Sequence, residues 1–386
     1  MSDRLRVFLV ATELSGDELG AGLMRALRAR LGEGVAFEGV GGRAMEREGL
    51  ASLFPLSDIN VMGIGAVVRN LPGIVRRAYR VVDEVAAHPP DVLVVIDSPD
   101  FNQPVAKRVK KRLPDLPIVN YVSPSVWAWR PWRARKMRRY IAHVLALKPF
   151  EPEAHRRLGG PPCTYVGHPL IERLADLRPA LGERSPVDRD PLDLVVLPGS
   201  RRSEITRLMG PFGETLRLLA ERIGRPLALT LPAVPHLVEE IRRATEGWAI
   251  KPTIVEGEAA RHAAFRKASL ALAASGTVTL ELALSGVPMV VAYKVSKLEE
   301  QYKYLIKVDS IVLANLILGE NAIPERVQWD CTPEKLLEAL EPLTRDSPER
   351  RAQIEALGRL DDAMEASAPT TPSERAAAIV LATARS

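Results

Sequence analysis

The sequence predicts an α/β protein with two Rossmann-like domains that face each other across a cleft. The chain has 386 residues and so exceeds the usual size of one domain. Its short apolar runs lack alternation, which is typical of parallel strands that helices cover on both faces. These runs alternate with helical stretches, as in a doubly wound sheet. The same alternation starts again near residue 192, and this restart predicts the second domain.

The first half of the chain supplies the strands of an N-terminal domain, which we expect to span residues 1–172. The apolar runs that predict strands here are residues 6–11, 35–40, 92–96 and 118–122. A helical stretch that extends to about Leu31 follows the first of them.

The second half repeats the order strand, loop, helix and strand in a C-terminal domain, which we expect over residues 192–365. These elements are predicted at residues 192–197, 198–204, 205–223 and 226–231. Residues 173–193, rich in proline and charge, are the predicted linker. The tail, residues 366–386, ends in a predicted helix at 373–384 that is a candidate for packing back on the N-terminal domain.

The composition excludes some classes of protein but does not identify the function. There are 53 basic and 48 acidic residues, and the formal charge of +5 permits binding of phosphate, nucleic acid or anionic lipid. The two cysteines, Cys163 and Cys331, are too few for a disulfide framework or a zinc cluster and fit a reducing cytoplasm. The apolar run at residues 7–11 is too short for a signal peptide, and Glu281, glycines and a proline interrupt residues 268–293. We therefore expect no secretion signal and no transmembrane helix.

The loop after the first strand is a candidate ligand site, because ligands of such sheets bind beyond the carboxyl ends of the strands. In this loop, Ser15 and Asp17 are typical helix caps, and Gly16 permits close approach of the backbone. The loop either lines a ligand site at a helix N-terminus or simply begins a capped helix.

Two carboxylates follow the strand predicted at residues 92–96, Asp97 at its end and Asp100 in the same loop. One of them could serve as a general base that accepts a proton from a hydroxyl group. Alternatively, Asp97 caps the next helix and Asp100 forms a turn with Pro99. We predict that Asp97 is the base, since it is closest to the end of the strand.

An aromatic and basic segment follows the next strand. Trp127, Trp129 and Trp132 lie close together, and six basic residues occur between Arg130 and Arg139. Such a segment can bind nucleic acid, stack on sugar rings or lie at a membrane interface. The alternative is a basic amphipathic helix that covers a core, and no local feature decides among these.

Two loops of the second half suit phosphate groups. The first combines Ser200 and Arg201 with the start of a helix, and it lacks the Gly-Lys-Ser/Thr sequence of a Walker A loop. Residues 275–277 precede another helix, and Glu281, one turn further on, could hold ribose hydroxyls. The alternative is an ordinary capped helix with a solvated carboxylate.

His168 lies between a glycine and a proline just before the predicted linker. It is as well placed to shape the crossover between domains as to take part in chemistry. The sequence has no HExxH or CxxC pattern, and we expect no metal ion.

Taken in order, these loops are similar to those of one protein family. The matching segments are residues 13–17, 39–42, 96–102, 121–129, 166–169, 197–201 and 275–277. The chain closely resembles the lipid-A-disaccharide synthase family from about residue 6 to Gln328, and the Ser-Pro-Ser-Val-Trp segment that ends at Trp127 is highly specific. Thr12 departs from the family, which usually has glycine before the glutamate of the first loop.

The resemblance implies a GT-B glycosyltransferase fold and an inverting transfer, and we expect neither a metal nor a cofactor. The donor would be UDP-2,3-diacylglucosamine and the acceptor 2,3-diacylglucosamine 1-phosphate. The products would be lipid A disaccharide 1-phosphate and UDP. The acceptor would lie on the N-terminal domain and the nucleotide on the C-terminal one, where helix dipoles and arginines neutralise the departing UDP.

The resemblance also implies roles for individual residues. Asp97 corresponds to an aspartate that is essential in the family, which agrees with its predicted role as the base. Asn315 and Gln328 match donor-side segments of the family. The residues expected to bind substrate are Glu13, Ser15, Asp100, Ser200, Arg201, Ser275, Gly276, Thr277, Glu281, Asn315 and Gln328.

We expect a monomer or homodimer in the cytoplasm, in peripheral contact with the anionic inner membrane of a Gram-negative bacterium. Residues 61–77 are apolar and basic, and we hypothesise that they contact acyl chains or the bilayer, with Met62 and Val68 as test positions. The alternative is an amphipathic helix packed on the core.

Two other functions fit parts of the sequence. A UDP-N-acetylglucosamine 2-epimerase or another GT-B enzyme would share the fold and the nucleotide site. A nucleic-acid-binding module centred on residues 127–139 is disfavoured, because that cluster is short and the charge is nearly balanced elsewhere, so we expect no nucleic-acid partner.

Overall fold

The computed structural model describes residues 4–59, 64–295 and 309–385, with residues 64–69 as backbone. The chain divides into two compact units. The N-terminal unit comprises Met1–Glu172 and Ala368–Ser386, and the C-terminal unit comprises Arg173–Ser367. Within the described part of the chain, no helix is both long enough and apolar enough to span a membrane.

The N-terminal unit is built on one parallel sheet. Its strands are β1 (Leu5–Ala11), β2 (Val35–Val40), β3 (Val92–Ile96), β4 (Ile118–Tyr121), β5 (His143–Ala146) and β6 (Cys163–Tyr165). They pair in the order β2-β1-β3-β4-β5-β6. Its helices are α1 (Leu14–Leu31), α2 (Arg43–Arg47), α3 (Ile64–Ala87), α4 (Pro99–Arg112), α5 (Trp132–Met137), α6 (Glu151–Arg157) and the C-terminal helix (Pro372–Ala384).

Strand β3 shows why an apolar run without alternation predicts a buried parallel strand. Val92, Val94 and Ile96 point into one apolar core, and Leu93 and Val95 point into the other. Successive side chains of a strand point to opposite faces, so a strand covered on both faces must be apolar throughout.

The C-terminal helix completes one of these cores. Thr371 and Glu374 form a capping box that begins the helix after the proline-containing tail. Val380 is then fully buried in the cluster that contains Leu23 and Leu27 of α1. The last residues of the chain therefore cover the sheet that the first residues begin.

The C-terminal unit has a second parallel sheet. Its strands are β7 (Leu192–Leu197), β8 (Leu227–Ala233), β9 (Thr253–Glu256), β10 (Leu270–Ala274), β11 (Met289–Tyr293) and β12 (Glu325–Val327). They pair in the order β12-β11-β10-β7-β8-β9. Its helices are α7 (Leu174–Leu177), α8 (Arg202–Ile223), α9 (Val238–Thr245), α10 (Glu258–Lys267), α11 (Val278–Leu284), α12 (Leu313–Leu318), α13 (Pro333–Leu340), α14 (Pro348–Gly358) and α15 (Leu360–Ala363).

The predicted linker is instead packed onto the C-terminal unit. Arg184 donates from its guanidinium group to four carbonyl oxygens at the C-terminal ends of α10 and α11, at 2.7–3.2 Å. The last carbonyl groups of a helix lack partners within the helix, so this arginine satisfies both ends at once. Burial lowers the pKa of Arg184 to about 10. Composition predicted a linker here but could not reveal these partners, because they are distant in sequence.

Helix α3 carries the segment predicted to contact a membrane. Met62 and the side chain of Val68 lie outside the described residues. Further along, Leu71, Val75 and Tyr79 are 51, 43 and 42% exposed. These three side chains succeed one another at intervals of one helical turn, so they form an exposed apolar stripe on α3.

Candidate functional site

The loops that follow β3, β4 and β5 meet at the carboxyl edge of the N-terminal sheet, because these strands are neighbours. They surround a cavity of about 290 Å³, which we call the Asp97 pocket. Its lining residues are Asp97, Pro99, Asp100, Val122, Ser123, Pro124, Ser125, Val126, Trp129, Arg133 and Lys148.

Three residues at this edge adopt left-handed backbone conformations. The φ angles are 54° for Asp97, 40° for Ser98 and 74° for Val122, and a β-branched residue is especially disfavoured there. The N–H of Asp97 bonds to the oxygen of Tyr121 at 2.9 Å, and that of Val122 bonds to the oxygen of Leu145 at 3.0 Å. Such strain persists where surrounding contacts impose it, and it clusters at functional sites.

Asn102 holds the turn after β3 in place. Its side chain is buried, and its Nδ2 donates to the carbonyl oxygens of Ile96 at 2.9 Å and Asp97 at 2.8 Å. Asn102 therefore fixes the direction in which the carboxyl group of Asp97 leaves the strand.

The ionisation of Asp97 is shifted by its surroundings. Burial raises the pKa of Asp97, and the carboxylate of Glu13 raises it further, whereas the N–H of Ser98 and the ammonium group of Lys148 lower it. The net effect is a raised pKa. A carboxylate with a raised pKa is a stronger base once it is ionised.

The loop after β1 reaches this site through Glu13, which accepts a hydrogen bond from the hydroxyl of Ser98 at 2.7 Å. Ser15 is exposed. Neither Ser15 nor Asp17 caps α1, and the side chain of its N-cap residue, Glu13, makes no hydrogen bond to the first turn of the helix. Asp17 instead accepts from three main-chain N–H groups at the start of α2, at 2.7–3.1 Å. Of the two alternatives for this loop, the structure therefore does not show a start of α1 capped by Ser15 or Asp17, because the Asp17 carboxylate serves the neighbouring helix α2.

Asp100 differs from Asp97 in its exposure. Its side chain is 80% exposed and pairs with the guanidinium group of Arg133 at 2.8 Å. Of the two predicted carboxylates, Asp97 is the more buried, and Asp100 is held in an ion pair at the surface.

Lys148 is a member of the pocket that the sequence did not identify. Its Nζ lies 3.0 Å from Oε1 of Glu151, and its side chain is only 15% exposed. The same oxygen of the buried Glu151 accepts a bond from the indole N–H of Trp127 at 3.2 Å. Lys148 follows β5, a strand that the sequence did not predict, so its place beside Asp97 could not be expected.

The three tryptophans of the aromatic segment have different environments. Trp127 packs edge-to-face on Phe150, with ring centroids 5.0 Å apart. Trp129 is 40% exposed and lies under the guanidinium group of Arg130, 4.0 Å away. Trp132 is 56% exposed. The segment therefore has one structural tryptophan and two that can meet a ligand or a surface.

Two buried histidines near this edge are neutral at physiological pH. Burial lowers the pKa of His168 to about 3, and its Nδ1 accepts the N–H of Leu170 at 3.2 Å. Burial also lowers the pKa of His155 to about 4, and its Nε2 lies 2.9 Å from the hydroxyl of Ser123. Both fit the shaping of backbone better than proton transfer near pH 7.

The donor-side residues predicted in the C-terminal unit follow strands of its sheet. Ser200 and Arg201 follow β7, residues 275–277 follow β10, and Gln328 follows β12. Strands β7 and β10 are paired, so their loops are neighbours at the carboxyl edge, and β12 lies two strands beyond β10.

The loop before α8 is shaped by Glu204. Its Oε2 accepts from the N–H groups of Ser200 at 2.9 Å and Arg201 at 3.2 Å. A Cβ on Gly199, whose φ is 110°, would lie 2.3 Å from that oxygen. Since these two N–H groups are already bonded, an anion here must be held chiefly by side chains, and that of Arg201 is 73% exposed.

Asn315 and Gln328 hold loops of the same unit. The Nδ2 of the buried Asn315 donates to the oxygen of Ile323 at 2.9 Å and to Glu325 at 3.0 Å. The Oε1 of Gln328 accepts the N–H of Val295 at 2.6 Å. Both side chains therefore position the backbone at the edge of this sheet.

In the loop after β10, the first residue is hydrogen-bonded to the backbone of another loop and the next two are exposed. The hydroxyl of Ser275 donates to the oxygen of Ile311 at 2.7 Å. Gly276 and Thr277 are exposed, and a Cβ on Gly276 would meet nothing within 4 Å.

Glu281 lies in α11 and faces α10. Its Oε2 lies 3.1 Å from the guanidinium group of Arg261 and 3.6 Å from Nε2 of His262. Burial raises the pKa of Glu281, and Arg261 opposes this shift. A ribose bound at this carboxylate would share it with Arg261.

Among residues 4–59, 64–295 and 309–385, no three acidic, histidine or cysteine side chains are arranged to hold a metal ion. The chain does contain one Asp-x-Asp pair, Asp188 and Asp190. It precedes β7, and Asp190 pairs with Arg225 at 2.7 Å.

Known proteins are similar to this chain over nearly its whole length. A family model described as "Lipid-A-disaccharide synthetase" matches residues 7–379. A relative named lipid-A-disaccharide synthase, from Rhodopseudomonas palustris (strain HaA2), is 57% identical over 377 residues, which cover 97% of this chain and 95% of that protein.

Two solved structures share the fold at low sequence identity. The glycosyltransferase of kitacinnamycin has a TM-score of 0.62 and 17% identity, with coverage of 99% of this chain and 100% of that chain. The UDP-GlcNAc 2-epimerase from Neisseria meningitidis, bound to UDP-GlcNAc, has a TM-score of 0.59 and 13% identity, with coverage of 99% of both chains. At such identities these likenesses show the fold alone.

Proposed function

The chain belongs to the lipid-A-disaccharide synthase family, and we propose that it transfers 2,3-diacylglucosamine from UDP to 2,3-diacylglucosamine 1-phosphate, with Asp97 as the general base. The observation that supports this role is the partly buried carboxyl group of Asp97, on a strained turn that lines a cavity at the sheet edge. Burial desolvates the carboxyl group, and Lys148 favours its ionised form.

A single displacement accounts for the products. The acceptor hydroxyl attacks the anomeric carbon of the donor, and the bond from that carbon to the oxygen of UDP breaks. Asp97 accepts the hydroxyl proton as the new glycosidic bond forms. UDP leaves with the bonding electrons, and the anomeric configuration inverts.

On the acceptor side we assign Glu13, Ser15 and Asp100. Glu13 is bonded to Ser98 beside the base, and the exposed hydroxyl of Ser15 lies in the same loop. Asp100 lines the Asp97 pocket and holds Arg133 at its rim.

On the donor side we assign Ser200, Arg201, Gly276 and Thr277 to the diphosphate. The exposed guanidinium group of Arg201 would neutralise the charge that develops on the departing UDP. Glu281, oriented by its ion pair, would accept the hydroxyls of the ribose.

Three further donor-side residues would act as positioning residues. The polar side chains of Ser275, Asn315 and Gln328 all make bonds to the backbone of neighbouring loops. We expect them to act on the substrate through the loops that they hold.

We infer that the protein acts at the cytoplasmic face of a bacterial inner membrane, as a monomer or homodimer. The exposed stripe of Leu71, Val75 and Tyr79 on α3 supports a peripheral contact with that membrane. Its substrates carry acyl chains, so the protein must meet them at a lipid surface.

A UDP-N-acetylglucosamine 2-epimerase is the second candidate, because the Neisseria meningitidis epimerase shares the fold. The family match over residues 7–379 favours the transferase. An epimerase would convert the UDP-sugar without an acceptor, and a transferase would require both substrates.

The deciding experiment is mass spectrometry of the products formed from both substrates in the presence of a metal chelator. We expect a disaccharide phosphate and an equal amount of UDP. Asp97→Asn should lower turnover by roughly 10²–10⁴-fold, the usual contribution of a general base, with donor binding retained. An epimerised UDP-sugar in the absence of acceptor would contradict the proposal, and full activity of Asp97→Asn would contradict the assigned base.

A further inference from the structure

A second cavity of the N-terminal unit, of about 900 Å³, lies between α4 and the segment that contains α5. Its α4 wall includes Lys107 and Lys111, which are one helical turn apart and exposed. Its opposite wall includes Lys136 and Arg139, which are also exposed. We call this cavity the basic groove.

The positive charge of the basic groove is not balanced within it. Among the described residues that line it, Asp100 is the one carboxylate, and Asp100 is already paired with Arg133 at 2.8 Å. Within residues 4–59, 64–295 and 309–385, no ion pair is made by the four cations that define the groove: Lys107, Lys111, Lys136 and Arg139. Like charges that face one cavity raise the local concentration of anions and favour an anion with more than one charge.

Other cations of the lining have partners that keep them in place. The guanidinium group of Arg108 lies 5.0 Å from the ring centroid of Tyr79. Lys110 donates to the oxygen of Leu116 at 3.0 Å. The groove thus combines cations that have partners with cations that make no ion pair.

The basic groove adjoins the Asp97 pocket, and the paired side chains of Asp100 and Arg133 lie between them. Pro99, Asp100, Pro124 and Arg133 line both cavities. A ligand whose hydroxyl group reaches Asp97 can therefore extend past Arg133 and place an anionic group among the four unpaired cations.

The lining also suits a sugar ring beside the anion. Trp132, which is 56% exposed, and Tyr140 both line the groove. Aromatic faces pack against the C–H faces of sugars, while the polar edges of the sugar stay hydrated.

We propose that the basic groove binds the phosphate group of the acceptor and so holds the acceptor hydroxyl at Asp97. This inference rests on the proposed function, because the acceptor named there is a sugar that carries one phosphate. The groove would then select phosphorylated acceptors, and the Asp97 pocket would act on the hydroxyl at the other end of the same sugar.

The test uses two double variants in α5 and the two residues that follow it. Lys136→Ala with Arg139→Ala removes two groove cations, and Arg135→Ala with Arg138→Ala removes two exposed cations that do not line the groove. Each is assayed in neutral detergent micelles with diacylglucosamine 1-phosphate and with diacylglucosamine that lacks the phosphate.

We expect the groove variant to raise KM for the phosphorylated acceptor roughly tenfold, with kcat little changed. Its KM for the acceptor without phosphate should equal that of the wild type. The control variant should match the wild type with both acceptors. Lys107→Ala with Lys111→Ala, on the opposite wall, should reproduce the effect of the groove variant.

Two outcomes would overturn the inference. The groove variant could lose sedimentation with phosphatidylglycerol vesicles and keep its KM in micelles, in which case the groove would bind phospholipid headgroups. The two double variants could instead be equally impaired, in which case only net charge would matter.

Failure of the proposed function has a different signature. In that case the wild type makes no disaccharide from either acceptor, and binding replaces activity as the readout. Quenching of tryptophan fluorescence by diacylglucosamine 1-phosphate would then be compared between the same variants. Equal quenching of the wild type and the groove variant would overturn the inference.

Discussion

At the scale of single residues, two neighbours act on the ionisation of Asp97 in opposite directions. After burial, which raises the pKa of Asp97 most, Glu13 raises it and Lys148 lowers it. Glu13 comes from the loop after β1 and Lys148 from the loop after β5, so the two charges can be removed separately.

We predict that Glu13→Gln moves the acid limb of the kcat/KM profile to lower pH and that Lys148→Gln moves it to higher pH. The base must be ionised, so activity is lost as the pH falls through the pKa of Asp97, which lies above that of an ordinary aspartate. Glutamine keeps a hydrogen-bonding group at both positions, toward Ser98 and toward Glu151.

The opposite signs provide the control for this prediction. A general loosening of the pocket would move both profiles in the same direction, and thermal unfolding would reveal it. An acid limb that stays in place in both variants would mean that Asp97 is not the group that titrates.

At the scale of elements, the start of α8 depends on a backbone conformation that glycine provides. Gly199 has a φ of 110°, and Glu204 occupies the space where a Cβ would lie. This contact ties the loop that carries Ser200 and Arg201 to the first turn of α8.

We predict that Gly199→Ala destabilises the C-terminal unit by about 1–3 kcal/mol, the usual cost of a strained conformation. Displacement of Glu204 should also release the loop and weaken UDP binding, as measured by calorimetry. Gly358→Ala is the matched control, because a Cβ at the end of α14 meets nothing within 4 Å and its φ is not left-handed. Unchanged UDP affinity in Gly199→Ala would show that this loop does not hold the nucleotide.

At the scale of the whole molecule, each unit has its own core, and the end of the chain contributes to the first of them. The C-terminal helix packs on α1 in the N-terminal unit. Residues separated by most of the sequence therefore stabilise one another.

We predict that Val380→Asp destabilises the N-terminal unit by about 3 kcal/mol, because it buries an unpaired carboxylate. Hydrogen exchange should show faster exchange in α1 and β1, with β7 and β10 unaffected. Ala382→Asp introduces the same group at an exposed position of the same helix and should have little effect. Unchanged protection of α1 in Val380→Asp would contradict this role of the C-terminal helix.

Three strands were predicted with the bounds that the structure has. Predicted residues 35–40, 92–96 and 192–197 agree with β2, β3 and β7. Strands β5 and β6, of four and three residues, were not predicted. Short strands with mixed burial give too little periodicity to be distinguished from loops.

The residues of the candidate site also differ in whether the sequence could locate them. Asp97, Asp100 and the loop of Ser200 and Arg201 could be located because they directly follow predicted strands. Lys148 and Glu151 could not, because they follow the missed strand β5. The bonds from Asp17 to the start of α2 could not be predicted for a related reason, since these partners are distant in sequence.

By itself the sequence determined the α/β class, the GT-B architecture and the family, which the two parallel sheets and the comparisons confirm. Patterns of apolar residues and short motifs are local, so they can be recognised in the sequence without knowledge of contacts between distant residues. Only the tertiary structure decided that Asp97 is the more buried carboxylate, that Glu204 takes the N–H groups before α8, and that cations of α4 and α5 face one groove. Burial, pairing and electrostatic field depend on residues that the fold brings together from distant parts of the chain.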